Sequence, residues 1–274
     1  MNIEINKMKI STSAIWDDIK AIRKDAPLVH NITNYVVMNT TANALLAIGA
    51  SPVMAHAKPE ISQMAGIAAS LVINIGTLSD PWIESMLVAG KKAEERHIPV
   101  ILDPVGAGAT DYRTDTAHKL MNAVHPSIIR GNASEIMAIT RKTIQTKGVD
   151  SINASDEAIG SAQILNRNLN SIICISGACD YIVSSQGNEL MTIKNGHTMM
   201  PHITGMGCTA SALCGAFAAV NPKYDKAAAH AMAVMGIAGE IAGKKSKGPA
   251  SFQIRFIDAL YQLTQKDINQ YFMA

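Results

Sequence analysis

The chain has 274 residues, and 24 Lys and Arg against 22 Asp and Glu leave a formal net charge of +2. So weak and evenly spread an excess argues against a dedicated nucleic-acid face, and a composition 48% hydrophobic and 17% charged leaves no room for long disordered regions. With aromatics at only 4%, the core of a soluble globular protein must be built from Ala, Ile, Leu, Val and Met.

The start, Met1-Asn2-Ile3-Glu4-Ile5-Asn6-Lys7, carries an acid and amides where a secretory leader needs a basic and then an apolar run, so no targeting segment is expected. Ser11–Lys24 is amphipathic, with Ile15, Ile19 and Ile22 on one side and Asp17, Asp18 and Lys20 opposite. Leu28–Ile32 reads as a strand, after which Asn34 caps a helix running to Gly49. Pro52–Ala55 is the next strand, and Pro59 suits the first turn of a helix over Glu60–Ser70. Leu71–Ile75 is a continuous apolar run, as a strand buried on both faces requires. Ser79 or Asp80, followed by Pro81, opens the helix Trp82–Arg96, and Pro99–Leu102 is again a strand. Asp111–Val124 is helical, Ser127–Ile129 is a short strand, and Asn132 caps the helix Ala133–Arg141. Lys142–Ala154 is the most polar connection, followed by the helix Asp156–Leu169 and the strand Ser171–Ile175. Tyr181–Ser185 and Glu189–Ile193, joined by Gln186-Gly187-Asn188, form a hairpin expected at the sheet edge. Three Ala-rich helices follow: Gly207–Val220, Asp225–Ala242 and Ala250–Gln265.

Strands alternating with helices predict a mostly parallel sheet covered on both faces. No linker, repeat or low-complexity tract divides the sequence, so residues 1–274 are expected to form one α/β domain. The most apolar stretches, Met64–Ile75 and Met206–Val220, fall short of the roughly 20 residues that span a bilayer and read as buried elements. Cys174, Cys179, Cys208 and Cys214 contain no C-x-x-C pair, which removes zinc-ribbon and thioredoxin-like readings. They are expected as free thiols in a reducing cytoplasm.

Residues out of character for a packed core gather where such sheets bind ligands, beyond the carboxyl ends of strands. Ile203-Thr204-Gly205-Met206-Gly207-Cys208-Thr209-Ala210-Ser211 is a glycine-rich turn opening a helix. Its free amides and helix dipole would hold an anion, although a tight turn before a closely packed helix would look the same. At that helix start the thiol of Cys208 can have its pKa lowered, although a lone cysteine is more often inert packing. Asp103, at the end of an apolar strand and before Pro104, needs a partner, either hydrated magnesium, a ligand hydroxyl, or the next turn that it caps. Arg130-Gly131-Asn132-Ala133-Ser134-Glu135 reads either as a capping box or as a phosphate-clamping arginine with an acid that orients hydrated Mg²⁺. Gly106-Ala107-Gly108-Ala109-Thr110-Asp111 lacks the third glycine of a dinucleotide fingerprint, and Gly239–Ser246 lacks Walker A spacing. No histidine pair has metal-ligand spacing.

Leu28–Asn34, Gly49–Met54, Asn74–Leu78, Leu102–Gly106, Ile129–Ile136 and the Gly205–Ser211 turn, in this order, resemble the hydroxyethylthiazole kinase family of the ribokinase-like superfamily. The resemblance spans about Leu28 to Gln265. It implies transfer of the ATP γ-phosphoryl group to the hydroxyl of 4-methyl-5-(2-hydroxyethyl)thiazole, use of Mg²⁺, and a homotrimer with sites between subunits. By position it implies thiazole binding by Met54, Gly205 and Asn34, ATP binding by Arg130 and Ser176, metal binding by Asp103 and Glu135, and Cys208 as the catalytic proton acceptor. Met206 and Ser176 both stand where the family usually has threonine. Other expectations for the same fold are a different alcohol acceptor, such as a hydroxymethylpyrimidine or pyridoxal, and a binding protein without turnover.

Overall fold

Alternation in the apolar strands decides the layering. In the computed structural model, which describes residues 5–143 and 154–274, Val29, Val72, Ile101 and Ile128 point into one core while Leu71, Ile73, Leu102 and Ile129 point into another. These residues belong to β2 (Leu28–Ile32), β4 (Ser70–Asn74), β5 (Val100–Asp103) and β6 (Ile128–Asn132). Flanking strands are β1 (Asn6–Lys7), β3 (Ser51–Val53), β7 (Ile172–Ser176), β8 (Asp180–Ser184) and β9 (Glu189–Ile193). All nine form one sheet in the order β1-β9-β8-β7-β6-β5-β4-β2-β3, parallel from β3 through β7, with β8 antiparallel to both neighbours.

One face is covered by α1 (Thr12–Asp25), α2 (Met38–Ile48), α8 (Met206–Val220), α9 (Tyr224–Lys245), α10 (Pro249–Gln262) and α11 (Gln265–Tyr271). The other carries α3 (Ile61–Ile67), α4 (Asp80–Glu95), α5 (Asp111–Val124), α6 (Ala133–Thr143) and α7 (Ala154–Leu169). Among the described residues, no helix is long and apolar enough to cross a membrane. All four cysteines are free thiols, with Cys174 and Cys214 buried.

Helix α8 is the centrepiece. It runs buried on nearly every side from Met206 to Ala218, and it presses on the sheet through Gly215, where a Cβ would lie 2.6 Å from Val72 Cγ2. That close approach fixes the height at which its N-terminus meets the strand ends.

Several expectations need correction. Asn34 does not cap α2, which begins at Met38 with Val37 in the cap position and no side-chain cap; its amide is drawn instead into the buried hydrogen bonds described below. The strand expected over Pro52–Ala55 is Ser51–Val53, and α3 starts at Ile61 and stops at Ile67, so Pro59 lies in the preceding turn and Ser70 already belongs to β4. The β8–β9 hairpin is not the edge, because Asn6 N–H reaches Asn188 O at 2.8 Å and Met8 N–H reaches Leu190 O at 3.0 Å. Two polar residues are too short a strand to leave a periodic signal. The last expected helix, Ala250–Gln265, is α10 and already ends at Gln262; a further helix, α11, follows it, its start capped by the Thr264 hydroxyl. Of the polar connection Lys142–Ala154, residues 144–153 lie outside the described residues.

Candidate active site

The strand ends deliver a line of polar side chains to the mouth of α8. Strand β4 ends on Asn74 and β5 on Asp103, which are register partners. Asn74 Nδ2 donates to Asp103 Oδ2 at 2.8 Å, and Asn34 Nδ2 donates to Asn74 Oδ1 at 2.9 Å and to Cys208 Sγ at 3.3 Å. Gly76 lets Asn34 lie down: a Cβ there would meet its Nδ2 at 2.6 Å. From α8, Ser211 Oγ donates to Asp103 Oδ2 at 2.7 Å. The result is a buried chain from Cys208 through Asn34 and Asn74 to Asp103.

Asp103 is fully buried, and burial first, with Glu135 adding, raises its pKa to about 6 against the pull of Arg130, Ser211 and Asn74. Its Oδ1 has no hydrogen-bond partner, which in a buried carboxylate marks a place for a ligand or bound water. Arg130 NH1 lies 3.9 Å from Asp103 Oδ2, and NH2 donates to Ser176 Oγ. Although burial works against the guanidinium charge, Asp103 and its neighbours keep Arg130 firmly protonated, with its pKa raised.

At α8 the helical ladder begins with Thr209 N–H to Gly205 O at 2.8 Å. The amides of Met206, Gly207 and Cys208 therefore have no partner inside the helix. Gly205 takes φ 86°, a left-handed value that suits glycine, and a Cβ there would also strike Val37 Cγ1 at 2.7 Å. At Gly207 a Cβ would fall 2.8 Å from Arg130 NH1. The absence of that carbon lets the guanidinium lie across the helix mouth. Met206 is buried in the core beneath, so the turn offers backbone amides rather than a hydroxyl at that position.

A cavity of about 810 Å³ opens on this mouth. Arg130, Ser176 and Asp180 form one wall, Lys194 to Thr198 another, and Gly205, Met206 and Gly207 the floor. Its apolar lining comes from Met200, Pro201, Ile203, Met232 and Met235. Buried Asp180, which accepts Gly177 N–H at 3.0 Å, is also pushed by burial to about 6.

The sequence-predicted residues thus separate into four groups. Asn34, Asp103, Arg130 and Cys208 share one network; Ser176 and Gly205 line the cavity with Arg130. Glu135 is adjacent but already engaged: Oε1 accepts Gly106 N–H at 2.9 Å and Oε2 accepts Asn132 N–H at 2.8 Å, while Asn132 Oδ1 accepts Glu135 N–H at 2.9 Å. The capping box is real, and Glu135 also ties the Gly106 turn beside Asp103. Met54 stands apart, half-buried after the edge strand β3 and outside the cavity.

The lowering that a helix start can give a thiol is not found at Cys208. Burial and the nearby Asp103 carboxylate push the thiol up to about 11, outweighing the donors Asn74 and Asn34 and the charge of Arg130. The helix start alone does not set its ionisation.

Sequence reasoning overlooked four contributors. Asn74 and Ser211 act by orienting Asp103. Arg113 cross-links the surrounding loops, donating to Ile75 O and Val105 O, each at 2.8 Å, and to Gly76 O at 2.9 Å. His30 does the same for the segment bearing Met54: burial holds the ring below its usual pKa, and Nε2 donates to Ala55 O at 2.8 Å.

Residues 19–266 match the sequence profile of the hydroxyethylthiazole kinase family. The hydroxyethylthiazole kinase of Syntrophus aciditrophicus is 58% identical over 262 residues, 95% of this chain and 96% of its own. The solved structure of the hydroxyethylthiazole kinase protein of Pyrococcus horikoshii OT3 superposes with a TM-score of 0.88 at 41% identity, covering 95% of this chain and 98% of the other. A ribokinase-like superfamily protein of Enterococcus faecalis V583, 14% identical with a TM-score of 0.66 over 96% of each chain, shares the fold alone.

Proposed function

The chain belongs to the hydroxyethylthiazole kinase family, and from that premise we propose how its residues divide the reaction. The enzyme phosphorylates the hydroxyl of 4-methyl-5-(2-hydroxyethyl)thiazole from ATP, supplying the thiazole phosphate of thiamine biosynthesis. One observation carries the assignment of parts: Gly207 lays Arg130 over the free amides of α8, between the large cavity and the Asn34–Cys208 end of the buried chain.

The nucleotide occupies the cavity, its base in the Met200–Met235 slot and its phosphates directed to Arg130, Ser176 and the α8 amides. The acceptor sits on the other side of the mouth, with its hydroxyl beside Asn34 and Cys208 and its ring toward Gly205 and Met54. The bond from the γ-phosphorus to the bridging oxygen breaks as the acceptor oxygen bonds to that phosphorus, and ADP leaves with the electron pair. Arg130 and the three amides meet the charge that develops on the phosphoryl oxygens, a contribution of the kind that supplies most of catalysis in a loose transition state.

A thiol held near 11 is a poor base at neutral pH, so Cys208 and Asn34 orient the hydroxyl, whose proton passes to a phosphoryl oxygen or to water only as the new bond forms. The donor set suits an ion that keeps its waters: Asp103 Oδ1 lacks a partner, both Glu135 oxygens already accept backbone amides, and no cage of three or more ligating side chains occurs among the described residues. Mg²⁺ bound there through water to Asp103 and Glu135 would neutralise phosphate charge.

We place the protein in the cytoplasm, with its free thiols, as a homotrimer. Tyr35 and Val36, 63% and 64% exposed next to Asn34, are the apolar side chains that support a neighbouring subunit at the acceptor end. The test is to mix purified protein with Mg-ATP and the thiazole alcohol and follow the phosphorylated product by phosphorus NMR. Stoichiometric thiazole phosphate is expected, with hydroxymethylpyrimidine and pyridoxal giving lower kcat/KM. No product at saturating substrate overturns the reading.

A further inference from the structure

The cavity wall from Lys194 to Thr198 joins β9 to the turn before α8 and has no regular structure of its own. It is held from behind. Lys194 N–H donates to Met273 O at 3.0 Å and its ammonium to Ala274 O at 2.9 Å. Asn195, only 5% exposed, turns its whole side chain the same way. Its Nδ2 donates to Tyr271 O at 2.7 Å and to Glu240 Oε1 at 2.8 Å, and its Oδ1 accepts Met273 N–H at 2.8 Å. Glu240 Oε1 also takes Gly196 N–H at 3.1 Å. Helix α9 provides a flat bed for this loop: a Cβ at Gly236 would lie 2.5 Å from Asn195 O, and one at Gly243 2.2 Å from His197 Cδ2.

We propose that Asn195 is a positioning residue for the nucleotide, and that Tyr271–Ala274 form a strap holding the Lys194–Thr198 wall in the shape that receives ATP. The inference rests on assigning the cavity to the nucleotide. Both N–H groups and the carbonyl of Asn195 are committed to the strap and to Glu240, so it acts on the shape of the wall and not by touching the ligand. A loop ordered in advance spares binding the entropy of ordering it, and the fraction of molecules with the wall in place multiplies the apparent affinity. None of these bonds reaches Asn34, Asp103 or Cys208, so the acceptor side keeps its geometry when the strap is cut.

The experiment compares the full chain with Asn195→Ala, with Met273→Pro, which removes one N–H, and with a chain ending at Phe272. Each is measured for KM of ATP, KM of the thiazole alcohol, Kd of a non-hydrolysable ATP analogue by calorimetry, and Tm. The expected result is a roughly tenfold rise in KM for ATP and in Kd for Asn195→Ala, and a severalfold rise for the other two. KM for the acceptor and kcat at saturating ATP stay near those of the full chain. Unchanged Kd in variants that melt like the full chain overturns the proposal, as does a parallel rise in KM for the acceptor. Should Asn195→Ala not fold, the two variants that leave the loop sequence intact decide. Analogue binding by the full chain without thiazole phosphorylation would overturn the function and leave the strap supported or refuted by Kd alone.

Discussion

The two ends of the site are built on opposite principles. At the Asp103 end, Asn74, Ser211, Arg130 and Asn34 are buried or nearly so: Asn74 and Ser211 hydrogen-bond to Asp103, Asn34 to Asn74, and Arg130 pairs with Asp103 at 3.9 Å, while Asp103 Oδ1 and Arg130 Nε lack a hydrogen-bond partner. At the Met54 end, the edge strand β3 is three residues long, and Tyr35 stands 63% exposed with its ring 4.7 Å from that of Trp82. The first end is complete within the chain, whereas the second is open and apolar. Charge stabilisation needs fixed dipoles that do not reorganise as the reaction proceeds, while recognition of a small heterocycle needs only shape and apolar area, which a second subunit can complete.

The comparison is tested most severely at its polar end. Asp103→Asn keeps the shape but removes the charge facing Arg130, and kcat/KM should fall by roughly 10²–10³. The pH profile gives the same test its sign. Because folding raises the Asp103 pKa to about 6, kcat/KM should climb as pH rises through about 6, where the carboxylate ionises. Asp103→Asn should erase that limb, and Asp180→Asn, whose carboxyl also sits at about 6, should retain it.

Gly207→Ala probes the placement of Arg130 without touching its charge. Alanine favours the helix by about 1 kcal/mol, yet its Cβ would fall 2.8 Å from Arg130 NH1. A loss of roughly tenfold in kcat/KM with an unchanged Tm is expected, the size of displacing one charged donor by about 1.4 kcal/mol. A variant as active as the parent would show that Arg130 need not cross the helix mouth.

At the open end, Met54→Ala should raise KM for the thiazole alcohol about tenfold, the worth of one buried thioether side chain, and leave KM for ATP alone. A rise in both constants would erase the distinction between the two ends. The smallest effect is expected at Cys208. Cys208→Ala should lower kcat by well under the roughly 10²–10⁴ of a true general base, and Cys208→Asp should keep activity because a carboxylate can orient the same hydroxyl by accepting its hydrogen bond. A loss of kcat in Cys208→Ala as large as that in Asp103→Asn would make the thiol the base.

Much of the polar end could be read from the sequence, because Asp103, Arg130 and Asn34 are conspicuous just where apolar strands end. Asn74 and Ser211 were not, since each works through another residue and Ser211 hides among the small residues of α8. The direction of the Cys208 pKa was equally out of reach, because burial and Asp103, 105 positions away in sequence, overrule the local helix start. Asn34 shows the same override. A good capping residue by type, it serves Asn74 and Cys208 instead, and α2 starts uncapped four residues later.

The most direct test is a crystal structure with a non-hydrolysable ATP analogue and the thiazole alcohol bound together. The γ-phosphate should lie within hydrogen-bonding distance of the Gly207 and Cys208 amides and of Arg130, with the thiazole hydroxyl between it and Asn34. A terminal phosphate bound elsewhere, with Arg130 still paired only to Asp103 and Ser176, would contradict the account.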